Sequence, residues 1–383
     1  MQDRFPGVRD GWARFDGPAG TQMVDVAIDA MAAFLRSGDN ANGHGVFAAS
    51  HATEAMVAGS RASVARLLGA EPDAVVFGPN MTSLSFAFTR AVGRTLSEGD
   101  EIVCTRLDHD ANVTPWVLAA RDAGARVVFA EFDTETGRLP VDAVTSMLTD
   151  RTRWVAVTGA SNAIGTMPDV TAITAAAHAA GARVLVDAVH LTPHQPVDIG
   201  AIGCDVLLCS PYKWYGPHAG VLCGRSDVLE EIVPYKVRPA SDAVPDRYET
   251  GTPSFEAIAA IGAAAEFLLD FGMAEVATHE AALFAPLLEG LLATDGVRVY
   301  GPHDRAGRTP TVAFTVEGHS PDEVATQLAA ERIAVWTGDY YAVEAMTALG
   351  LADTGGAVRA GVACYTSPDD VDRLVTAVGK IAR

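Results

Sequence analysis

The chain of 383 residues has little positive charge, and lysine is the scarcest part of it. It carries 28 lysine and arginine residues against 48 acidic ones, and its only lysines are Lys213, Lys236 and Lys380. The formal net charge of −20 would repel a phosphate backbone, and no basic patch offsets it. The sequence therefore argues against nucleic-acid binding, and any chemistry that needs a lysine amine has three candidates.

Cysteines are also few, with five in the chain, and no two of them form a C-x-x-C pair. Most lie in apolar runs such as EIVC and DVLLC, which is typical of reduced, buried thiols. No apolar run reaches the roughly 18 residues of a membrane-spanning helix, and the opening MQDRFPGVRD does not resemble a signal peptide. We therefore expect a cytoplasmic protein with no membrane partner and no metal site.

Apolar residues, by contrast, are plentiful: 49% of the chain is hydrophobic, which excludes a disordered protein. Between about residues 55 and 270, short apolar runs alternate with alanine-rich stretches of helical pattern. The predicted strands are 74–77, 101–105, 126–131, 153–158, 183–187, 205–209 and 220–224, and predicted helices include 140–148 and 170–180. This alternation predicts an α/β fold with a mostly parallel sheet, and such sheets bind ligands beyond the carboxyl ends of their strands.

The two ends of the chain are predicted to build a second, smaller α/β domain. A long alanine-rich helix begins near Phe255, and predicted strands at 311–316 and 357–364 and a helix at 369–381 follow it. A helix at 27–35 is expected to pack with this C-terminal region. The predicted division is an N-terminal segment at 1–36 packing with the small domain, a large domain at 37–270, and a small C-terminal domain at 271–383.

Two charged residues stand at the ends of successive predicted strands. Asp187 closes the run RVLVD, and Lys213 follows the next run in CDVLLCSPYKWYGP, flanked by Ser210 and Tyr212. Burial would lower the pKa of the lysine and free its amine for a Schiff base, while a carboxylate can keep a pyridine nitrogen protonated. For Asp187 alone, the alternative is a helix N-cap or a turn residue. Together the two residues point to pyridoxal 5'-phosphate (PLP) as cofactor.

The stretch from Asp187 to Gly220 resembles the class V aminotransferase family, and most closely its cysteine desulfurase-like branch. The resemblance covers nearly the whole chain and keeps the order of the motifs. It implies a PLP enzyme of fold type I, with a large domain built on a mostly parallel mixed sheet between helices and a smaller α/β domain. It also implies a homodimer with shared active sites and a small amino acid or amino-acid conjugate as substrate.

Three residues are expected at the cofactor ring because they match family positions. His109, in RLDHDANVTPW, matches the histidine that stacks on the pyridine ring and can relay protons there. Asn162, in GASNAIGT, matches the asparagine near the ring oxygen and the substrate carboxylate. His190 stands where desulfurases usually carry glutamine, and we expect it to bond to the ring oxygen. A histidine in isolation is more often structural.

The resemblance also assigns the residues that hold the charged ends of cofactor and substrate. Asn80, Met81 and Thr82, in FGPNMTS, match the segment whose backbone N–H groups bind the phosphate, although an ordinary helix cap has the same pattern. Thr252, in YETGTPS, matches the residue that reaches the phosphate of the neighbouring subunit. Arg359, in AVRAGVACY, matches the arginine that grips the substrate α-carboxylate rather than pairing with an acid on the surface.

The loop VWTGDYYAVEAM departs from the family pattern. Tyr341 stands at the position of the loop cysteine that accepts sulfur in cysteine desulfurases, and Trp336 replaces an arginine. Tyr212 likewise replaces the histidine before the lysine. A phenol cannot form a persulfide, and Cys209 and Cys364 are expected in apolar strands. A conventional persulfide-forming desulfurase is therefore not expected.

The retained residues still predict proton removal from Cα by Lys213, with several possible outcomes. We favour β-elimination from cysteine or a cysteine S-conjugate, which is C–S lyase chemistry. The alternatives are an aminotransferase, a decarboxylating or oxidative deaminase, and a racemase in which Tyr340 or Tyr341 supplies the second acid. A PLP carrier without activity would not need Arg359, and a nicotinamide-binding enzyme would need a G-x-G-x-x-G that FGPNMTS lacks. The substrate side chain is left open.

Overall fold

The structure, a computed structural model, describes all 383 residues and contains thirteen strands. They are β1 (Ala13–Arg14), β2 (Val75–Gly78), β3 (Glu101–Thr105), β4 (Arg126–Ala130), β5 (Thr152–Thr158), β6 (Arg183–Asp187), β7 (Val206–Cys209), β8 (Gly220–Gly224), β9 (Val297–Tyr300), β10 (Thr311–Val316), β11 (Ile333–Ala334), β12 (Trp336–Gly338) and β13 (Ala357–Gly361). The large sheet has the order β2-β8-β7-β6-β5-β3-β4, and β8 alone runs opposite to the other six strands. The predicted α/β fold with a mostly parallel mixed sheet is confirmed.

Thirteen α-helices surround the sheets. They are α1 (Asp25–Arg36), α2 (Ala48–Leu68), α3 (Met81–Val92), α4 (Thr114–Ala123), α5 (Val141–Thr145), α6 (Val170–Ala179), α7 (Ile199–Ile202), α8 (Ser226–Glu231), α9 (Phe255–Phe271), α10 (Met273–Leu292), α11 (Pro321–Ala330), α12 (Val343–Ala348) and α13 (Pro368–Ile381). No single helix has both the length and the apolar character needed to cross a membrane; α9 and α10 meet that test only when taken together, and they are bent by 75°.

Successive residues of the central strands belong to two different apolar cores. In β6, Val184 and Val186 pack into one core while Leu185 packs into the other, and all three are fully buried. The sheet is therefore covered on both faces, which explains why its strands have continuous apolar sequences. Polar groups that follow β5, β6 and β7 collect at one edge of the sheet, because these strands are parallel.

The seven strands predicted for the large sheet are all present, and β3, β6 and β8 have the predicted bounds. The last strand is shorter than the predicted 357–364. It ends at Gly361, after which the Ala363 N–H donates to the Thr366 hydroxyl and the chain turns. The predicted helix at 140–148 is reduced to α5, because the N–H groups of Met147 and Leu148 bond to carbonyls three residues back. Gly181 follows α6 with a φ of 81°, as expected of a glycine that closes a helix.

A second sheet, with the order β12-β13-β10-β9, forms the core of the C-terminal region, and β1 pairs with β11 beside it. The predicted N-terminal helix is present as α1, and it lies along α9, the long helix that begins at Phe255. An amphipathic pattern shows which face of a helix is buried, but not which surface covers it. The exact domain boundaries stay predictions.

Candidate active site

A cavity of about 520 Å³ lies at the carboxyl ends of β5, β6 and β7, and the second sheet closes its other side. Twelve of the thirteen residues predicted for the site line this cavity. They are Asn80, Met81, Thr82, His109, Asn162, Asp187, His190, Ser210, Tyr212, Lys213, Tyr341 and Arg359. Thr252 does not line it; this exposed residue lies just before α9.

Lys213 stands in a short 3₁₀ turn that follows β7. Its Nζ donates hydrogen bonds to the carbonyl oxygens of Pro18 at 2.5 Å and Ala19 at 2.8 Å. Desolvation lowers the pKa of the ammonium group to about 7; the charge of Arg359 adds to this effect, and that of Asp187 opposes it. A substantial fraction of the amine is therefore neutral near pH 7 and can act as nucleophile or base.

Asp187 ends β6 and is 4% exposed. Its Oδ1 accepts a hydrogen bond from the Val189 N–H at 2.9 Å, so it has both the turn role and the position in the cavity that the sequence suggested. Burial raises its pKa to about 6, and the charge of Lys213 partly opposes this. A cationic ring nitrogen nearby would favour the carboxylate form.

Asp108 is a buried acid that the sequence analysis did not single out. It accepts hydrogen bonds from the Thr105 hydroxyl and, at 2.8 Å, from the Asn112 amide. Burial raises its pKa to about 8, and the charge of Asp187 adds to that effect. The only sequence signal for it is its place directly before His109 in the D-H-D triplet, and a lone aspartate in that place does not by itself indicate burial.

The His109 imidazole is neutral at physiological pH. Its Nδ1 accepts a hydrogen bond from the Ala111 N–H at 3.0 Å, so the ring proton is on Nε2. Burial, together with the charges of Lys213 and Arg359, lowers its pKa to about 4. The ring is thus a flat, uncharged surface in the cavity that can donate a hydrogen bond through Nε2.

Arg359 lies in β13 and is 2% exposed. Its Nη1 donates to the Asn162 backbone carbonyl at 2.8 Å, its Nε has no partner, and no carboxylate of the chain pairs with it. The Oδ1 of Asn162 is also buried without a partner. Buried polar groups that lack partners are costly, and a carboxylate bound in the cavity would satisfy the guanidinium. The alternative of a surface arginine paired with an acid does not hold.

His190 lies in the floor of the cavity and is 3% exposed. Its Nε2 shares a hydrogen bond with the Thr311 hydroxyl at 3.0 Å, and burial holds its pKa well below the usual value. Its ring meets that of His194 edge to face, with centroids 5.1 Å apart. Behind it, His194 Nδ1 lies 2.7 Å from a carboxylate oxygen of Glu280, and both residues are buried.

The N-terminus of α3 opens onto the cavity at Asn80, Met81 and Thr82. The Asn80 side chain caps the helix by accepting the Ser83 N–H at 2.8 Å. A Cβ at Gly220 would lie 2.3 Å from the Asn80 carbonyl carbon and 2.7 Å from the Met81 nitrogen. Only glycine therefore lets β8 approach the start of α3 this closely, and the helix end presents its N–H groups where an anion can bind.

The loop between β12 and α12 is fastened to the large sheet through two consecutive tyrosines. Tyr340 and Tyr341 have φ values of 55° and 56°, in the left-handed region that non-glycine residues seldom adopt. The Asn162 amide donates to the Tyr340 carbonyl at 2.9 Å, and the Asp110 N–H donates to the Tyr341 carbonyl at 2.6 Å. Tyr340 is buried against Arg359, whereas Tyr341 is 71% exposed at the mouth of the cavity.

The cavity contains no thiol. All five cysteines are free and buried, and none of them lines it. Burial raises the pKa of Cys209 to about 12 and that of Cys364 well above its usual value. Neither has the exposed, electropositive setting of a sulfur-accepting nucleophile.

These groups fit PLP. The cavity offers an amine of lowered pKa, an acid at a strand end, a flat neutral imidazole and the N-terminus of a helix for a phosphate. The unpaired Arg359 and Asn162 atoms add a place for a carboxylate.

Comparisons with known proteins identify the family of the chain. Residues 14–374 match the family model of class-V aminotransferases. A cysteine desulfurase of Yersinia pestis (strain Pestoides F) is 32% identical over 384 residues, covering 96% of this chain and 93% of the relative. Two solved cysteine desulfurases superpose on nearly the whole chain: one from Escherichia coli (TM-score 0.90, 27% identity, 99% of this chain and 96% of that one) and one from Thermococcus onnurineus (0.94, 26%, 100% and 97%). The chain therefore belongs to the class V aminotransferase family and is a PLP-dependent enzyme.

Proposed function

We propose that this enzyme is a C–S lyase that acts on cysteine or a cysteine S-conjugate by β-elimination. The observation that carries the proposal is a cavity that holds Lys213 and Arg359 but no thiol, with Tyr341 on the loop where related desulfurases place a cysteine. The groups that activate Cα are present, and the group that would accept sulfur is absent. The bond from Cβ to sulfur can then break only with release of the thiol.

Each residue of the cavity has a defined part in this proposal. Arg359 binds the substrate carboxylate through its planar fork, and the neutral amine of Lys213 removes the Cα proton. Asp187 keeps the ring nitrogen of the cofactor protonated, and PLP, when bound, supplies the electron sink for the negative charge at Cα. His109 would cover one side of the bound cofactor and exclude water there.

The balance of the reaction is simple. The Cα–H and Cβ–S bonds break, the sulfur leaves with the bonding electron pair and takes a proton, and water hydrolyses the unsaturated amine that remains. One S-conjugate and one water therefore give one thiol, one pyruvate and one ammonia. No oxidant or reductant takes part.

We also propose that the enzyme is a homodimer with shared active sites. Thr252 supports this, because it is exposed outside the cavity of its own chain and is available to a second copy. Since Thr252 would bind the phosphate across the interface, Thr252→Ala should weaken PLP binding without changing the cavity of its own chain. The cytoplasmic location stays a prediction, supported by the five free cysteines.

The reaction is tested by incubating the holoenzyme with S-alkylcysteines and measuring thiol, pyruvate and ammonia. We expect all three in equal amounts, and no product from Lys213→Ala. Lys236→Ala is the matched control, because Lys236 pairs with Asp242 on a loop outside the cavity. Conversion of the cofactor to pyridoxamine phosphate without release of ammonia would contradict the lyase proposal and indicate an aminotransferase. A stable persulfide on any cysteine would indicate a cysteine desulfurase.

A further inference from the structure

Three large aromatic side chains surround the mouth of the cavity. Phe86 from α3, Trp336 from β12 and Tyr341 from the following loop are 40%, 50% and 71% exposed, and all three line the cavity that contains Lys213. Single exposed apolar side chains are common on protein surfaces. Three from separate segments that converge on one cavity form an apolar site. We call these three residues the aromatic rim.

The position of Trp336 relative to Arg359 ties the aromatic rim to the bound substrate. These two residues are direct partners in the antiparallel pairing of β12 with β13, so their side chains stand on the same face of the sheet. On the other side, the centroid of the Tyr341 ring lies 5.7 Å from that of His109. A substrate held by Arg359 and close to His109 therefore lies between two members of the rim.

The charges that line the cavity disfavour a polar acidic substituent. Lys213 and Arg359 are the only lysine or arginine side chains that line it, and they are the groups proposed to meet the substrate amine and carboxylate. Of the two acids that line the cavity, Asp110 is more exposed than Asp187, and its carboxylate accepts a hydrogen bond from the Thr114 hydroxyl at 2.9 Å. An anionic group on sulfur would meet this carboxylate and find no cation.

We infer that the leaving group is a thiol with an aromatic or bulky apolar substituent, held by Phe86, Trp336 and Tyr341. The amine and the carboxylate of the substrate occupy the inner end, so its third substituent extends toward the rim. This inference rests on the proposed β-elimination and names the substrate class for it. Free cysteine has nothing to place against the rim and is a poor substrate.

The test compares S-benzylcysteine, S-ethylcysteine and S-carboxymethylcysteine, because all three release alkyl thiols of similar leaving ability. With pyruvate as readout, kcat/KM should be roughly tenfold to a hundredfold higher for the benzyl compound than for the ethyl compound, since added apolar contact in a pocket discriminates by about this factor. The carboxymethyl compound should be the poorest of the three. β-Chloroalanine, which eliminates chloride and has no S-substituent, reports on the elimination itself.

Variants locate the preference on the rim. Trp336→Ala should lower the benzyl-to-ethyl ratio at least fivefold, and Trp336→Phe should restore most of it because an aromatic ring is kept. Phe271→Ala is the control, since Phe271 is an exposed aromatic residue that stacks on Phe267 outside the cavity. It should leave the ratio unchanged.

The outcomes separate this inference from the proposal beneath it. Pyruvate from β-chloroalanine together with equal rates for the benzyl and ethyl compounds would overturn the inference and leave the lyase proposal standing. No pyruvate from any compound would overturn both. A benzyl preference that survives in Trp336→Ala, in Phe86→Ala and in Tyr341→Ala would place the substituent elsewhere and overturn the inference.

Discussion

The guanidinium carbon of Arg359 lies 4.3 Å from the centroid of the Tyr340 ring. A buried arginine usually pairs with a carboxylate, but here the guanidinium packs against this aromatic ring instead. A cation over a ring is stabilised without being neutralised, so its charge stays available to a ligand. Burial lowers the pKa of Arg359 to about 10, which leaves it protonated throughout the physiological range. The pair thus presents to the cavity a positive charge that no carboxylate of the chain cancels, which supports the proposed binding of a substrate carboxylate.

Replacing Arg359 should weaken substrate binding more than it affects folding. Arg359→Gln loses a charge-assisted hydrogen bond worth about 1.5–3 kcal/mol, which corresponds to a rise in KM of roughly tenfold to a hundredfold. Arg359→Lys should recover only part of this, because an ammonium group lacks the planar fork. Steady-state kinetics of pyruvate release give KM. Arg298→Gln is the control, since Arg298 lies over the Tyr300 ring outside the cavity. An unchanged KM in Arg359→Gln would contradict the proposal that Arg359 binds the substrate carboxylate.

The lowered pKa of Lys213 should control how fast the apoenzyme takes up PLP. Only the neutral amine attacks the aldehyde, so the uptake rate should rise with pH up to about 7 and then level off. The visible absorption of the bound cofactor, followed from pH 5.5 to 9, measures this rate. Because the charge of Arg359 helps to lower this pKa, Arg359→Gln should move the midpoint upward. A rate that keeps rising to pH 9 in the unmodified enzyme would show that the amine is not perturbed.

The left-handed backbone at Tyr341 makes a prediction about stability. Tyr341→Ala and Tyr341→Gly both remove the ring, but only glycine adopts a φ of 56° without strain. The glycine variant should therefore be about 0.5–1 kcal/mol more stable than the alanine variant, as measured by denaturant unfolding. Val343 begins helix α12 and does not have a positive φ. At this position the order should reverse, so Val343→Ala should be more stable than Val343→Gly. The same order at both positions would mean that the loop is not held in this conformation.

The buried pair of Glu280 and His194 should matter more for stability than any exposed pair. Burial raises the pKa of Glu280, and its carboxylate also accepts a hydrogen bond from the Tyr215 hydroxyl at 3.3 Å. Glu280→Ala leaves His194 without its partner and should cost about 3–5 kcal/mol of unfolding free energy. Glu280→Gln should lower the unfolding free energy less, because the amide oxygen of glutamine can still accept a hydrogen bond from His194. Asp122→Ala, which removes the exposed pair with Arg121, should have no measurable effect.

The sequence predicted the large sheet well for a physical reason. Strands buried on both faces are continuous apolar runs, and their ends are marked by polar residues such as Asp187. The residues that follow parallel strands meet at one edge, so the cluster around Lys213 follows from the topology. No local pattern predicts that β13 reaches the same cavity. Only the resemblance of AVRAGVACY to a family motif predicts that Arg359 belongs to the site.

Other parts of the site depend on contacts that no local pattern contains. The backbone carbonyls of Pro18 and Ala19 hold the Lys213 amine, and any residue type could supply them. In the sequence, Phe86 is an ordinary apolar residue of a helix. Nothing there shows that this face of α3 lines a cavity. The role of Thr252 needs a second chain.

Gly220 determines how closely β8 approaches the start of α3. The backbone of β8 touches the first residues of α3 there, with no room for even a methyl group. A side chain at this position would push on the start of the helix and shift the N–H groups expected to bind the cofactor phosphate, while Lys213 and Arg359 stayed in place. The cost of one added carbon atom would then be seen as lost cofactor affinity in an enzyme whose catalytic groups are all intact.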